Sequence, residues 1–453
     1  MTTAVRPDKA LWRLGGVLIM GAVLSILDAT IVTVGIDSIA RDLGSSLTTV
    51  QWVASAYLLA ASAAIPLSGW LTDRFGGRAV WLTAVALFTA GTLLCGFAWS
   101  APALIGFRVL HGLGGGLMQP VGQAVFAQEA GLALGRMIGV ITLPATVAPA
   151  LGPMVGGALV AGFGWRWMFF GIVPLGVATF VCARRLLPAP EPGGVREPLD
   201  VRGIALLSPG LGAFVYGLAE GVIVAAVAGA ALLLAYGVHA ARARSAVLDL
   251  KLFRDKGFAV ASASTFLLGA SLYSSMLLLP LYYQQVERAS ALQAGLLLAP
   301  QAVGSAVVLL MGGRLLARFG PRTMMLAGIT LSLLGTIAFT QLGSSPGGVL
   351  LTVSLLIRGA GLGAATTPGM TTLYGSLERS RIPRAASAFN VVNRIGGSLG
   401  AALLAAILHH ELAGTAAPTA FGTTFTWALA LSALTLIPAA FFPKSPSPKR
   451  SLA

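Results

Sequence analysis

Apolar stretches of eighteen residues or more recur along almost the whole of this 453-residue chain, and nothing else in it constrains the fold so strongly. Such stretches are long enough to cross a bilayer. In hydrocarbon every backbone donor and acceptor must be satisfied internally, which leaves helices or a closed barrel. Barrel strands alternate apolar and polar residues over about ten positions. Here the runs are longer and apolar on all sides, so the fold class is all-α, a polytopic membrane protein. Composition agrees, with 56% hydrophobic and only 10% charged residues.

The apolar runs place spans at roughly 12–37, 49–71, 80–99, 102–127, 137–161 and 166–187, then six more at about 257–280, 292–312, 323–342, 348–373, 388–409 and 420–441. The stretch 203–241 is too long for one crossing, and Glu220-Gly221 interrupts it midway, so it reads as two spans, 203–219 and 222–241. The total is fourteen. The chain divides into an N-terminal six-helix half (1–187), a linker with two additional helices (188–255), and a C-terminal six-helix half with its tail (256–453).

The net charge of +15 raises the possibility of a nucleic-acid partner. The basic residues are scattered between apolar runs, however, and positive-inside topology accounts for them better. With the N-terminus in the cytoplasm, twenty-four of thirty Lys and Arg fall on the cytoplasmic side. Three (Arg41, Arg166, Arg288) fall outside, and three (Arg108, Arg358, Arg394) lie within spans. Both termini are therefore expected in the cytoplasm, and the basic N-terminal segment reads as the start of an uncleaved first helix. Cys95 and Cys182 lie in different spans near opposite faces and read as packing residues rather than a disulfide.

An internal repeat is visible. Gly69-Trp-Leu-Thr-Asp73-Arg74-Phe75-Gly76-Gly77-Arg78 aligns without gaps on Gly313-Arg-Leu-Leu-Ala317-Arg318-Phe319-Gly320-Pro321-Arg322, with six of ten positions identical. Arg108 opens a glycine-rich segment ending near Pro120, and Arg358 opens another ending near Pro368. Two duplicated halves around a central pair place a substrate site between the halves, near midplane.

These segments resemble the major facilitator superfamily. The loop Gly69–Arg78 resembles its cytoplasmic signature, and Gly152-Pro153-Met-Val-Gly156-Gly157 resembles the antiporter motif of its drug:proton exporters. Leu27-Asp28-Ala-Thr30-Ile31-Val32, Trp165-Arg166-Trp167-Met-Phe169 and Leu279-Pro280-Leu-Tyr-Tyr-Gln284 are similar to motifs of the fourteen-helix branch. The resemblance covers essentially the whole chain, with departures at Thr33, where asparagine is usual, and Asp37, where proline is. It implies export of drugs or other small amphiphilic compounds in exchange for protons, by a monomer in the cell membrane, with no cofactor. A dedicated exporter of one metabolite or of a self-made toxin is the alternative within the same fold. A membrane-embedded enzyme or a channel is the alternative outside it, disfavoured by the duplication and by the lack of a polar catalytic cluster.

The resemblance implies that Gly69, Asp73, Arg74, Gly76 and Arg78 latch the two halves in one state of the cycle. Ordinary positive-inside anchoring would explain the arginines but not Asp73. Gly152, Pro153, Gly156 and Gly157 bend span 5 and clear a flat face, suited to a dry seal on the outer side or to generic GxxxG packing. Asp28 is the principal proton-coupling candidate, because an acid deep in a span is costly unless paired, neutralised or facing water. Arg108, equally deep, needs an acceptor, either backbone carbonyls or a carboxylate, and resembles the fourth-helix motif associated with proton coupling. Arg358, Arg394, Asn390 and Asn393 carry no assigned chemistry. His409-His410-Glu411 lacks metal-ligand spacing and reads as a helix-end cap. No GxxxxGK[ST] and no HExxH occur, so the expected energy source is an ion gradient.

Overall fold

The computed structural model describes residues 9–134, 137, 148, 152, 155–188, 200–243, 246–344, 346–375 and 377–443. Among the described residues there are helices and no strands. The N-terminal group comprises α1 (Lys9–Asp42), α2 (Leu47–Ala64), α3 (Leu67–Phe75), α4 (Gly77–Gly96), α5 (Ala101–Ala130), α6 (Arg166–Phe170) and α7 (Val173–Leu186). Then come α8 (Val201–Ala219) and α9 (Ile223–Arg242). The remainder is α10 (Lys256–Gln285), α11 (Ala291–Thr340), α12 (Gly348–Gly375), α13 (Ile382–Gly414), α14 (Ala417–Ala433) and α15 (Leu436–Ala439). Residues 155–163 are also helical, while most of the expected fifth span lies outside the described residues.

Eleven helical segments among the described residues are long and apolar enough to cross a membrane. Their ends overrun the apolar stretches because caps, not hydropathy, set them. Ser46 accepts from the Thr49 amide at the start of α2, and Asp255 accepts from the Phe258 amide at the start of α10. Ser290 and Gln293 form a reciprocal capping box at α11. Asp200 caps α8, and the stretch after it breaks at Glu220-Gly221, where Gly221 has φ +70° and the chain reverses into α9.

The 50-residue α11 would be about 75 Å long if straight, more than twice the hydrocarbon thickness. It bends at Gly320, whose φ of 77° is left-handed. Gly76 has φ 81° at the matching position of the first loop, between α3 and α4. The duplicated Phe-Gly turn thus has one conformation in both halves, and a side chain at either glycine would be strained.

Helices approach closely through small residues, as expected where lipid supplies no hydrophobic drive between them. A Cβ on Gly112, Gly114 or Gly116 of α5 would strike the backbone at Tyr57, Phe88 or Ala61 respectively. On α12, a Cβ on Gly359, Gly361 or Gly363 would strike Gln301, Ser332 or Ser305. In the ungapped loop alignment Tyr57, Phe88 and Ala61 stand opposite Gln301, Ser332 and Ser305. This corrects the repeat register read from the arginines: Arg358, just before Gly359, repeats the position of His111, just before Gly112, and not that of Arg108.

The pair α8–α9 closes on itself, with Gly217 against Ala226 and Gly229 against Phe214. It packs on α2 and α13. Glu220 accepts from the Ser55 hydroxyl at 2.6 Å, and Tyr216 stacks on Trp52.

Candidate functional site

The centre of the N-terminal group holds a buried ionic cluster. Asp28 on α1 and Arg108 on α5 are 0% and 1% exposed. Arg108 Nη1 donates to Asp28 Oδ2 at 2.7 Å, and Arg108 Nε donates to the Val53 carbonyl at 2.9 Å. The guanidinium lies over the Tyr57 ring, 4.3 Å from its centroid, and the Tyr57 hydroxyl donates to the Ser25 carbonyl. The acceptor that Arg108 requires is therefore both a carboxylate and a backbone carbonyl, and the acid and base proposed separately from the sequence form one ion pair. Thr30 donates to carbonyls of its own helix instead.

His111, one turn along α5 and wholly buried, completes the cluster. The Thr92 hydroxyl donates to the Phe88 carbonyl at 2.8 Å, so it accepts at 2.9 Å from His111 Nε2–H. His111 Nδ1 then carries its lone pair toward Arg108 Nη1, 3.0 Å away. These contacts fix a neutral imidazole with its proton on Nε2. Asp28 Oδ1 has no hydrogen-bond partner among the described residues.

Sequence inspection missed His111, Tyr57 and Thr92. The signal for His111 was present, because Arg108 and His111 stand three residues apart and so share one face of a helix. Nothing local marks Tyr57 or Thr92, which are recruited from α2 and α4.

The motif glycines of the fifth span lie against α1, just beyond Asp28. A Cβ on Gly152 would strike the Thr30 side chain, one on Gly156 would sit 3.1 Å from the Ile31 carbonyl, and one on Gly157 would reach Val34. The contacts described for these glycines therefore lie within the N-terminal half. Pro153 lies outside the described residues.

The two halves meet at the loop that carries Asp73. Arg384 Nε on α13 donates to Asp73 Oδ2 at 2.7 Å, with both side chains about 15% exposed or less. Gly69 leaves room for the same residue, since a Cβ there would lie 3.1 Å from Arg384 Cα. Ser387 donates to the Ile65 and Pro66 carbonyls at the α2–α3 break. Asn390 donates to Gln123 at 2.8 Å, Arg379 pairs with Glu129 at 3.0 Å, and Arg394 donates to Ser62. Asn390 and Arg394, which carried no assigned chemistry, thus belong to this junction. Arg74 stays on its own turn, near Trp70 and Phe75. Arg78 donates to the Arg184 carbonyl within its own half, and Gly76 shapes the turn.

A second buried cation sits in the C-terminal group. Arg358 on α12 is 3% exposed. Its Nε donates to Thr336 at 3.1 Å, Nη1 donates to Gln301 Oε1 at 2.7 Å, and Nη2 donates to the Ser275 hydroxyl. Among the described residues no group of His, Cys, Asp and Glu is arranged to hold a metal ion. Both cysteines are free.

A helical bundle of duplicated halves, each with the same Phe-Gly turn and one of them holding a buried ion pair, fits a membrane transporter. The chain belongs to the Major Facilitator Superfamily, whose family model matches residues 18–401 and 261–452. It is 33% identical over 499 residues to the "Multidrug resistance protein B homolog" of Mycobacterium tuberculosis, covering 98% of this chain and 92% of that protein. It is 30% identical to the "Multidrug export protein EmrB" of Haemophilus influenzae, covering 85% and 78%. It is also 30% identical to the "Methylenomycin A resistance protein" of Streptomyces coelicolor, covering 86% and 84%. Among solved structures it shares the fold of the human organic anion transporter MFSD10, with TM-score 0.67, 18% identity, and 96% and 100% of the two chains covered. The proton:xylose symporter XylE follows at TM-score 0.63 and 13% identity, covering 94% of each chain. The protein is thus a multi-pass membrane transporter.

Proposed function

We propose that this chain exports drugs or other small amphiphilic compounds across the cytoplasmic membrane in exchange for protons. The observation that carries the exchange is the buried Asp28–Arg108–His111 cluster. A proton arriving on Asp28 Oδ1 removes the charge that balances Arg108, so the pair cannot be both protonated and intact. Proton occupancy thereby changes how α1 and α5 are held together. The glycine face of the fifth span lies against α1 beside Asp28 and is placed to feel that change. Asp73–Arg384 and its neighbours hold the halves together at one end, which suits one end-state of alternating access.

The topology that fits this reading has fourteen spans, with α11 counted as two and both α5 and the fifth span added to the others. Its divisions are 1–187, 188–255 and 256–453. Both termini are cytoplasmic, and the transporter acts as a monomer. Drug export follows the names of the multidrug relatives. A dedicated exporter of one toxic compound is the second reading, favoured by the likeness to the methylenomycin A resistance protein.

The test is transport of a compound panel into inside-out vesicles with an imposed pH gradient. Uphill accumulation that collapses when the gradient is dissipated, and that is absent in Asp28→Asn, is the expected result. Accumulation indifferent to the gradient would sink proton exchange. A single transported compound in a broad panel would select the dedicated exporter.

A further inference from the structure

The C-terminal half contains a positive charge with no counter-charge among the described residues. From Lys256 onward the chain has only three acids, Glu287, Glu378 and Glu411. None lies in the middle of a span. Glu287 follows the end of α10 and accepts from Tyr282 at 2.7 Å, Glu378 lies between α12 and α13, and Glu411 is in the last turn of α13. Arg358 sits mid-helix in α12, 3% exposed, and its partners Ser275, Gln301 and Thr336 are all neutral. An arginine cannot shed its proton to escape this situation. A buried charge without a counter-charge is expensive, and three neutral hydrogen bonds offset only part of that cost.

The same positions in the N-terminal half show what is missing. There His111 holds the place of Arg358, with Thr92 and Tyr57 alongside, and the cation three residues before it, Arg108, faces Asp28. In the C-terminal half Thr336 and Gln301 stand opposite Thr92 and Tyr57 in the repeat, and Ser275 occupies the acid's place as a hydrogen-bond partner. The guanidinium has five N–H donors, and described residues engage three of them, leaving two. One turn from Gln301 on the same face of α11, the Ser305 hydroxyl is 2% exposed and has no partner among the described residues. Unused donors around an unbalanced buried cation are the chemistry of an anion site.

We propose that Arg358, with the Gln301 amide beside it, binds one anionic group of carboxylate or halide size. The group is either the carboxylate of the transported compound, an assignment that rests on the transport reading above, or a free inorganic anion. Its charge takes the place that Asp28 fills in the other half.

The experiment titrates the purified full chain in a zwitterionic buffer of low ionic strength with sodium chloride and, separately, sodium benzoate. Melting temperature and calorimetric heat are followed for wild type, Arg358→Gln and Arg358→Lys. Wild type should show a saturable, one-site rise with at least one of the two anions. Arg358→Gln should lose it, and Arg358→Lys should weaken it at least tenfold because the two-pronged donor is gone. Saturation by benzoate alone, in competition with a transported compound, assigns the site to substrate. Saturation by chloride assigns it to an inorganic anion. Flat titrations in the wild type, or saturation equal in Arg358→Gln, overturn the site. If Arg358→Gln does not fold, unchanged affinity in Arg358→Lys overturns it. A flat titration would leave pH-driven export standing, and loss of pH-driven export would leave the titration unaffected.

Discussion

The two halves repeat their scaffold and diverge in charge. Gly112 meets Tyr57 in one and Gly359 meets Gln301 in the other, and Thr92 and Thr336 each donate back one turn on the matching helix. Into this common frame the N-terminal half sets Asp28, Arg108 and His111, a balanced acid and base with a neutral imidazole. The C-terminal half sets Ser275 and Arg358, a cation among neutral partners. A duplicated framework thus supplies positions, while single residue differences on it decide in which half a buried cation faces a carboxylate and in which its described partners are neutral.

The largest effect that would sharpen this contrast is on stability. Asp28→Asn leaves Arg108 buried without its counter-charge and should cost about 3–5 kcal/mol. Arg358→Gln removes a charge whose described partners are all neutral and should cost much less in an anion-poor buffer. The double variant Asp28→Asn/Arg108→Gln should recover most of the first loss. Melting curves of the solubilised proteins decide this. Equal losses for Asp28→Asn and Arg358→Gln would mean that the halves are not electrostatically different.

An intermediate effect concerns the duplicated loops. Asp73 reaches Arg384 in the other half, whereas Ala317 at the matching position has no charge to offer. A charge-assisted bond of this kind, mostly buried, is worth about 1.5–3 kcal/mol. Asp73→Asn should therefore shift the balance between closed and open forms of that end by about ten- to a hundredfold. Spin-label distances across the junction would read the shift, and Asp73→Arg/Arg384→Asp should restore it. An unchanged distance distribution in Asp73→Asn would remove the latch role.

The smallest effect lies at the far ends of α1 and α10. Asp42 accepts from Trp165 Nε1 at 2.9 Å and from Arg166 at 2.5 Å, tying α1 to α6. Glu287, by contrast, is held by Tyr282 beside its own helix. The Trp165 hydrogen bond, followed by Arg166, lowers the Asp42 pKa below the ordinary aspartate value. A lowered folded-state pKa gives stability that is present above the unfolded value of about 3.9 and lost as pH falls through the folded one. Asp42 is half exposed, so the change is small. Wild type should lose slightly more melting temperature than Asp42→Asn as pH is taken below about 4, and parallel curves would discount the tie.

Much of this molecule was legible in its sequence because the controlling forces are local. Hydropathy over eighteen residues marks a span wherever the chain goes afterward, and a Phe-Gly turn repeats its conformation because only glycine accepts a left-handed φ without strain. The break at Glu220-Gly221 and the depth of Asp28, Arg108 and Arg358 were readable for the same reason. What the sequence did not contain is which buried groups meet. Asp28 and Arg108 are 80 residues apart, and their pairing depends on the rotation of α1 against α5. The register that makes Arg358 the counterpart of His111 was hidden because arginines catch the eye in an alignment, whereas glycine contacts decide how helices seat. The glycines of the fifth span could be read as a packing face, but only the fold shows that α1 lies against them. Segment type follows from short-range chemistry, and pairing follows from how segments pack, so the sequence determined a duplicated helical transporter and the tertiary structure decided where its charges are balanced.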